Sequence, residues 1–354
     1  MSFGDLIGNR EAVDTVRKML AQDRLPSALL FTGPGGVGKL TFAKMLAHAI
    51  HCEQEENDFC GSCQECRKTS EMLILATEDL ERRRAKKDSA GKAENLVYFD
   101  LQLVEPLGQF ILSAQIEKII SEAYAKPFEL SQRIFILNDA HRIHWSGVDR
   151  LLKILEEPPT TTFFILVCPN ASALRATIRS RCTRVTFRAL EDKEIQEFLK
   201  RKTELKPTER RLAAHLSGGS IGRACSFDLD DYQRCRKSWL SFFEFCLSSK
   251  DWSSLFRTTE FLAKDRENFE ANLSIAYSLL RDLLVLQATG NENKILNRDL
   301  APHLLSWGKH VDITWISKVS RGLDQAHRQQ IRNMNQQLGL DALASEVISA
   351  SMDD

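Results

Sequence analysis

A glycine-rich segment near the start of the chain has the residue types of a phosphate-binding site. Its order G-P-G-G-V-G-K matches the loop in which backbone N–H groups and a lysine hold phosphates. The predicted nucleotide ligands are Gly33, Gly35, Gly36, Gly38 and Lys39. A hydroxyl that holds Mg²⁺ normally comes next, but this chain has Leu40 there. Thr41 is kept as a candidate ligand, although one step along a helix turns its side chain roughly 100° away. The loop therefore predicts nucleotide binding with poor equipment for hydrolysis.

Four cysteines in one short window predict a metal site. They have the spacing C-x7-C-x2-C-x2-C and are Cys52, Cys60, Cys63 and Cys66. Four thiolates suit tetrahedral Zn²⁺ in a closed structural site. An iron–sulfur site is the alternative for the C-x2-C-x2-C part, but the usual fourth cysteine followed by proline is missing. Unrelated core thiols would rarely cluster in this way. We predict a structural zinc module over residues 52–66 and expect the other cysteines to be small core or surface residues.

Short apolar runs alternate with helical patterns in the first half of the chain. Residues 28–31, 133–137 and 163–168 read as buried strands, and residues 39–50 read as a helix after the glycine loop. Strands that alternate with helices predict a parallel sheet with both faces covered. Ligands of such sheets lie at the carboxyl ends of the strands, where the glycine loop is also expected.

Asn138 and Asp139 follow the second of these strands and are candidate nucleotide ligands. A P-loop ATPase carries acidic residues at this place, one for Mg²⁺ and one for the attacking water. Asparagine is neutral, and aspartate is one methylene shorter than glutamate. Together with Leu40, this pair makes fast ATP turnover by the chain improbable.

The second half of the chain is predicted to be helical. Strand patterns fade after residue 187, and apolar stripes at helical spacing, such as Trp239, Phe242 and Phe243, predict core-facing helices. We predict an α/β domain over residues 1–188, a small helical lid over 189–229 and an all-α collar over 230–354. Residues 78–87 predict an exposed charged helix, with a basic DNA contact as the alternative, and residues 88–92 predict a loop.

The composition fits an ordinary globular protein. The chain has 354 residues and a formal net charge of zero, so any DNA contact is expected to be local or shared with partners. No apolar run approaches the length of a membrane span, and the first residues lack a signal-peptide pattern. We therefore expect a cytoplasmic protein with reduced cysteines.

Four motifs in a fixed order give the chain a family resemblance. The glycine loop, the cysteine cluster, the run LLKILEEPP at residues 151–159 and the run TIRSRC at residues 177–182 follow one another. Together they resemble the bacterial clamp-loader subunits of the AAA+ superfamily, and most of all the delta-prime class that serves DNA polymerase III. The resemblance covers nearly the whole chain and is strongest over residues 3–223. The proline after the two acids also predicts that the helix before it ends there.

The resemblance implies roles for two arginines. Arg181 matches the arginine finger that reaches the ATP of a neighbouring subunit, and a surface salt bridge is the alternative that the residues alone favour. Arg223 matches the second sensor arginine, with an exposed arginine at a helix start as an equal alternative. No first-sensor residue is evident, since Cys168 and Pro169 occupy that place and Asn170 follows.

The resemblance also implies a function. We expect a delta-prime-like subunit in a hetero-pentamer with delta and tau/gamma subunits, which loads the sliding clamp onto primed DNA during replication. Its own ATPase should be small or absent, zinc should be structural, and ATP or ADP should bind weakly or not at all. The alternatives are an ATP-hydrolysing tau/gamma-type subunit and a stand-alone nucleotide-binding module.

Overall fold

The computed structural model describes residues 2–85, 100–248, 251–264, 269–331 and 335–351. Internal contacts divide the chain into two compact units. The first consists of Met1–Lys202 with Gly218–Arg223, and the second of Thr203–Ser217 with Ala224–Asp354. The three domain ranges predicted from the sequence stay a prediction.

A parallel sheet lies at the centre of the first unit. Its strands among the described residues are β1 (Ala28–Thr32), β2 (Leu101–Val104), β3 (Arg133–Leu137), β4 (Thr162–Cys168) and β5 (Thr183–Thr186). They are hydrogen-bonded in the order β2-β3-β4-β1-β5, and every pair is parallel. The predicted α/β class is confirmed. Strands β1, β3 and β4 are buried along their whole length, which explains their continuous apolar sequences.

Helices cover both faces of this sheet, as the sequence predicted. They are α1 (Arg10–Ala21), α2 (Lys39–His51), α3 (Gln64–Ala85), α4 (Ser113–Ala123), α5 (Trp145–Glu156), α6 (Ala176–Arg179) and α7 (Asp192–Lys202). Alternate residues of β1 enter two different apolar cores, with Phe31 in one and Leu30 in the other. Phe31 packs on Phe42 of α2 with ring centroids 5.6 Å apart. The glycine loop is therefore held between a buried strand and a buried helix.

Two further predictions on helices are met in the first unit. Helix α5 ends at Glu156, just before the two prolines, as the LEEPP run predicted. The charged stretch belongs to α3, where Asp79 and Arg83 form an ion pair of 2.6 Å. The predicted loop at residues 88–92 lies outside the described residues.

The described part of the second unit contains helices and no strand. Its helices are α8 (Pro207–Leu216), α10 (Leu229–Ser248), α11 (Trp252–Ala263), α12 (Phe269–Thr289), α13 (Ala301–Trp307), α14 (Ile313–Ile331) and α15 (Gln336–Ser351), and α9 spans Ile221–Cys225. The predicted stripe of Trp239, Phe242 and Phe243 is fully buried and forms part of one apolar core. Within the described residues, no helix combines the length and the apolar character that crossing a membrane requires.

A buried ion pair holds the amino end of β3. The side chains of Asp100 and Arg133 are 0% and 2% exposed, and the Asp100 carboxylate accepts a hydrogen bond of 3.1 Å from Arg133 Nη2. The same carboxylate accepts backbone N–H groups at residues 128, 129 and 130, at 2.6–3.0 Å. Burial alone would raise the pKa of Asp100, but these donors and Arg133 outweigh it and hold the pKa below its ordinary value.

The first prediction concerns this carboxylate. Asp100→Asn keeps the size of the side chain but removes the charge that Arg133 and three N–H groups need. We expect the free energy of unfolding of the first unit to fall by about 3 kcal/mol at neutral pH. Because the folded-state pKa lies below 3.8, the stabilisation is present above that pH and is lost as the pH falls below it. Denaturant unfolding at neutral and acidic pH measures both effects.

Glu117→Gln is the matched control, because it breaks an ion pair with Arg150 in which both side chains are about half exposed. Its cost should be at most about 1 kcal/mol. Equal losses for the two variants, or a loss for Asp100→Asn that stays constant at acidic pH, would contradict the assignment.

Candidate nucleotide and metal sites

The glycine loop joins the end of β1 to the start of α2. Gly33, Gly36 and Gly38 have φ angles of 144°, 70° and 95°, which L-residues rarely adopt. A Cβ on Gly33 would lie 2.2 Å from the carbonyl oxygen of Phe187. The glycines are therefore required by backbone conformation and by close approach of a neighbouring chain segment, as expected for a phosphate-binding loop.

Lys39 points into its own loop. Its side chain is 7% exposed, and Nζ donates to the backbone carbonyls of Gly33 and Pro34. Burial lowers the pKa of Lys39, while Cys168 and Asp139 nearby act in the opposite direction. The ammonium group is thus bound by two carbonyls of its own loop.

A second segment of the first unit is tied to the outside of the loop. The N–H of Gly222 donates to the carbonyl of Gly36 at 3.1 Å. The Ser220 hydroxyl lies beside Gly36, 2.1 Å from the point where a Cβ would be. Asn9 contacts the next carbonyl, that of Val37, at 3.5 Å, and accepts the N–H of Arg188 at 2.7 Å. The loop is therefore braced from two sides.

The two residues after Lys39 are Leu40 and Thr41, and neither is suited to bind Mg²⁺ at the expected position. Leu40 is half-buried and packs against the apolar core on one face of the sheet. Thr41 is exposed at the start of α2. A leucine side chain cannot bind a metal ion, and the hydroxyl one residue later lies on a different side of the helix. Within this loop, the usual hydroxyl ligand is replaced by a core contact.

A further acid lies at the carboxyl ends of β2 and β3, which are paired with each other. Asn138 Nδ2 donates to Glu105 Oε1 at 3.0 Å, and Glu105 is 6% exposed directly after β2. Asp139, the next residue after Asn138, has a φ of 52°. Glu105 is not among the predicted site residues, because β2 has only four residues and its apolar run is too short to be recognised in the sequence.

The end of β4 carries a thiol in place of a polar sensor. Cys168 pairs in register with Thr32, is buried, and donates from Sγ to the carbonyl of Asn170 at 3.3 Å. Burial raises the pKa of this thiol. The Asn170 side chain accepts the N–H of Ser172 at 3.0 Å and so caps a short turn. Neither residue presents a charged group at this edge.

Arg181 lies near the amino ends of the strands, whereas the glycine loop lies at their carboxyl ends. It precedes β5, in which Thr183 pairs with Leu29 and Thr186 pairs with Thr32. Arg181 is therefore near the amino ends of the strands, whereas the loop follows their carboxyl ends. Gly33 lies four residues after Leu29 along the strand direction, which is roughly 13 Å. The guanidinium cannot serve the phosphate loop of its own chain.

Arg223 differs from Arg181 in this respect. It belongs to α9, and its backbone N–H donates to the Ser220 hydroxyl at 3.2 Å. Its neighbour Gly222 contacts the loop directly. The structure therefore brings the segment of Arg223, but not Arg181, to the nucleotide loop of the same chain.

The four predicted cysteines lie together where α2 is joined to α3, with Cys52 directly after α2 and Cys66 in the first turn of α3. Their Sγ atoms are all within 4.8 Å of one another. Backbone N–H groups donate to these sulfurs, from Ser62 to Cys60 at 3.4 Å and from Cys63 to Cys60 at 3.2 Å. These N–H groups lower the pKa of Cys60 to about 6, whereas burial raises the pKa of Cys66. Thiolates bound to one tetrahedral ion at 2.3 Å lie about 3.8 Å apart, so this donor set fits a metal ion.

The cysteine segment is also connected to the start of the chain. Asp58 accepts the N–H of Phe3 at 2.7 Å and forms an ion pair with Arg17 at 2.6 Å. Phe59 packs edge-on against Phe3 at 5.8 Å and stacks on His48 at 5.1 Å. The cluster is therefore part of the packed first unit.

Comparison with known proteins shows which family the chain resembles in sequence. The family model described as "DNA polymerase III, delta subunit" matches residues 8–191. The DNA polymerase III subunit delta' of Bacillus subtilis is 27% identical over 284 residues, which cover 79% of this chain and 78% of that protein. The gamma/tau subunit of Mycoplasma pneumoniae is 28% identical over 200 residues, 56% of this chain and 25% of that protein.

Two solved structures show distant likenesses. The RuvB Holliday junction branch migration motor of Thermotoga maritima has a TM-score of 0.41 and 14% identity, over 80% of this chain and 77% of that one. A DNA polymerase III gamma subunit-related protein from the same organism has a TM-score of 0.40 and 17% identity, over 96% and 99%. These values are low, so the fold assignment depends on the sheet described above.

The sheet order and the loop after β1 define a P-loop module of the AAA+ type. Beyond this class, the match over more than half of the sequence decides the family. The chain belongs to the DNA polymerase III delta-subunit family and is a clamp-loader-type subunit related to the delta-prime and gamma/tau proteins.

The bracing of the loop gives a second prediction. Gly36→Ala forces a φ of 70° on an L-residue and places a methyl group against Ser220. We expect it to lower the free energy of unfolding of the first unit by about 1–2 kcal/mol. Gly35→Ala is the matched control, because no atom lies within 4 Å of its Cβ and it is not at positive φ. Thermal or denaturant unfolding compares the two, and equal stability would contradict the described loop.

Proposed function

We propose that this chain is a delta-prime-type subunit of the DNA polymerase III clamp loader, with little or no ATPase of its own. In this proposal it presents Arg181 as an arginine finger to the ATP of a neighbouring subunit. The observation that carries the proposal is the position of Arg181 near the amino ends of the strands, whereas its own phosphate loop follows their carboxyl ends. If Arg181 acts on a nucleotide, that nucleotide must be held by another chain.

The glycine loop supports the non-hydrolysing half of the proposal. Leu40 replaces the Mg²⁺ ligand and packs in the core, and Asn138 replaces an acid after β3. Lys39 is bound by carbonyls of its own loop. Nucleotide would have to displace these contacts, so ATP or ADP should bind weakly or not at all. The segment of Arg223 beside the loop supports a residual sensor position, which stays a proposal.

The chemistry of the finger follows from the charge of guanidinium. In phosphoryl transfer, negative charge spreads over the oxygens of the transferring group, and a permanently charged, planar donor stabilises it. Arg181 would supply that charge in trans. The proposed partners are delta and tau/gamma subunits in a hetero-pentamer, which acts on the sliding clamp and primed DNA. Residues 189–229 would serve as the lid and residues 230–354 as the collar, and a cytoplasmic location stays a prediction.

We also propose that Cys52, Cys60, Cys63 and Cys66 bind one structural zinc ion. Zinc suits four thiolates and would supply a rigid tetrahedral cross-link between α2 and α3. The cross-linked segment would also stabilise the start of the chain, because Asp58 binds Phe3 and Arg17 and Phe59 packs on Phe3.

Metal content tests the zinc proposal. We expect about one zinc ion per purified chain. Cys66→Ser removes a ligand whose residue is 0% exposed, so zinc content should fall to near zero and the Tm should drop, because binding energy of a structural metal is folding energy. Cys225→Ser is the control, since that thiol is exposed and lies outside the cluster. Elemental analysis that finds iron in place of zinc, or full zinc in Cys66→Ser, would refute the proposal.

The acids at the carboxyl edge favour a second candidate. Asp139 lies near Lys39 of a loop that keeps its glycines and lysine, and Glu105 accepts a hydrogen bond from the neighbouring residue Asn138. A tau/gamma-type ATPase would use them with Mg²⁺. This candidate predicts Mg²⁺-dependent ATP turnover by the chain in the absence of other clamp-loader subunits.

Turnover in a reconstituted complex tests the finger. We expect no turnover by the chain alone and turnover when ATPase-type subunits are added. With Arg181→Ala, the single site that this arginine serves should become silent, because a finger contributes about 10³–10⁵-fold. The steady-state ATPase rate of the complex should then fall by the fraction that this site contributes to the total rate.

Arg184→Ala is the matched control, because it removes another exposed arginine only three residues away. Its rate should equal that of the parent complex. An unchanged rate with Arg181→Ala would remove the finger, and rapid turnover by the isolated chain would favour the ATPase candidate.

A further inference from the structure

The guanidinium of Arg181 is held by acceptors of its own chain. Nη1 donates to the carbonyl of Thr177 at 2.8 Å and to the Ser180 hydroxyl at 3.4 Å. Nη2 donates to Oε1 of Glu156 and forms an ion pair with it. The side chain of Arg181 is one-third exposed, so part of it is open to solvent. The end of α5 and the end of α6 thus meet at this one side chain.

Helix energetics do not explain an acid at the position of Glu156. It is the last residue of α5, where the negative end of the helix dipole disfavours a carboxylate. The two prolines that follow at 158 and 159 fix the direction in which the chain leaves the helix. At the last residue of α5 a carboxylate is unfavourable unless a cation lies beside it. Arg181 is that cation.

We propose that Glu156 is a positioning residue for Arg181, an inference that rests on the proposed finger. A guanidinium has five N–H donors. The contacts above use three of them, which leaves one N–H on Nη2 and the N–H of Nε for phosphoryl oxygens of a neighbouring nucleotide. Glu156 fixes the plane and the direction of this remaining edge before the nucleotide arrives.

The expected effect is on the rate of the chemical step. A half-exposed ion pair of this kind contributes little to stability, so its removal should leave the fold intact. Immobilising one flexible side chain corresponds to about a three- to tenfold change in an equilibrium or rate constant. If the finger acts in the transition state only, that factor should appear in kcat and not in KM.

The experiment uses the full chain assembled with ATPase-type subunits. Glu156→Ala should lower kcat at the site served by Arg181 by about three- to tenfold, with KM for ATP nearly unchanged. Glu156→Gln keeps a neutral acceptor and should lie between Glu156→Ala and the parent. Glu157→Gln is the matched control, because it removes the adjacent exposed acid, which has no described contact with Arg181, and should leave kcat unchanged.

A double variant separates this inference from the proposed function. In the Arg181→Ala background, Glu156→Ala should have no further effect, because it acts through Arg181. If Arg181→Ala itself leaves turnover unchanged, the finger is wrong. If Arg181→Ala silences the site but Glu156→Ala leaves kcat unchanged, raises it, or lowers it equally in both backgrounds, only the positioning role is wrong. Thermal unfolding of each variant confirms that the fold is retained.

Discussion

The parallel register between β1 and β5 is the constraint on which the rest of the site depends. It fixes Thr186 opposite Thr32 and Thr183 opposite Leu29, so the chain reaches β5 at the amino edge and leaves β1 at the carboxyl edge. The glycine loop and Arg181 are thereby separated by the length of the strands. A shift of this pairing would move the arginine relative to every other feature of the module, and the buried β1 resists such a shift because both of its faces lie in apolar cores.

The glycine loop keeps the conformation of a phosphate site but satisfies its polar groups internally. Its buried lysine would be costly without partners, and the carbonyls of Gly33 and Pro34 provide them. On the outer side, Gly222 and Asn9 bind the carbonyls of Gly36 and Val37. These internal contacts compensate for the burial of the lysine and of the loop carbonyls.

The sequence predicted those parts of the structure whose signals are local. Continuous apolar runs identified β1, β3 and β4, and the proline pair identified the end of α5. Strand β2 has only four residues, and β5 alternates an inward valine with polar neighbours, so neither had a run long enough to be recognised. The pairs Asp100–Arg133 and Glu156–Arg181 join residues 33 and 25 positions apart, and only the folded sheet brings them together. The cysteine cluster was predictable because all four ligands lie within one short window.

The separation of the two edges also gives the module a direction. With the proposed finger, the amino ends of the strands would offer an arginine to a neighbour, while the carboxyl ends carry a loop whose lysine is bound by its own carbonyls. In a row of such modules, a chain of this type would have a donor side but no working acceptor side. It would therefore fit at a terminus of the row, where it completes the last catalytic unit without requiring a further member to complete its own.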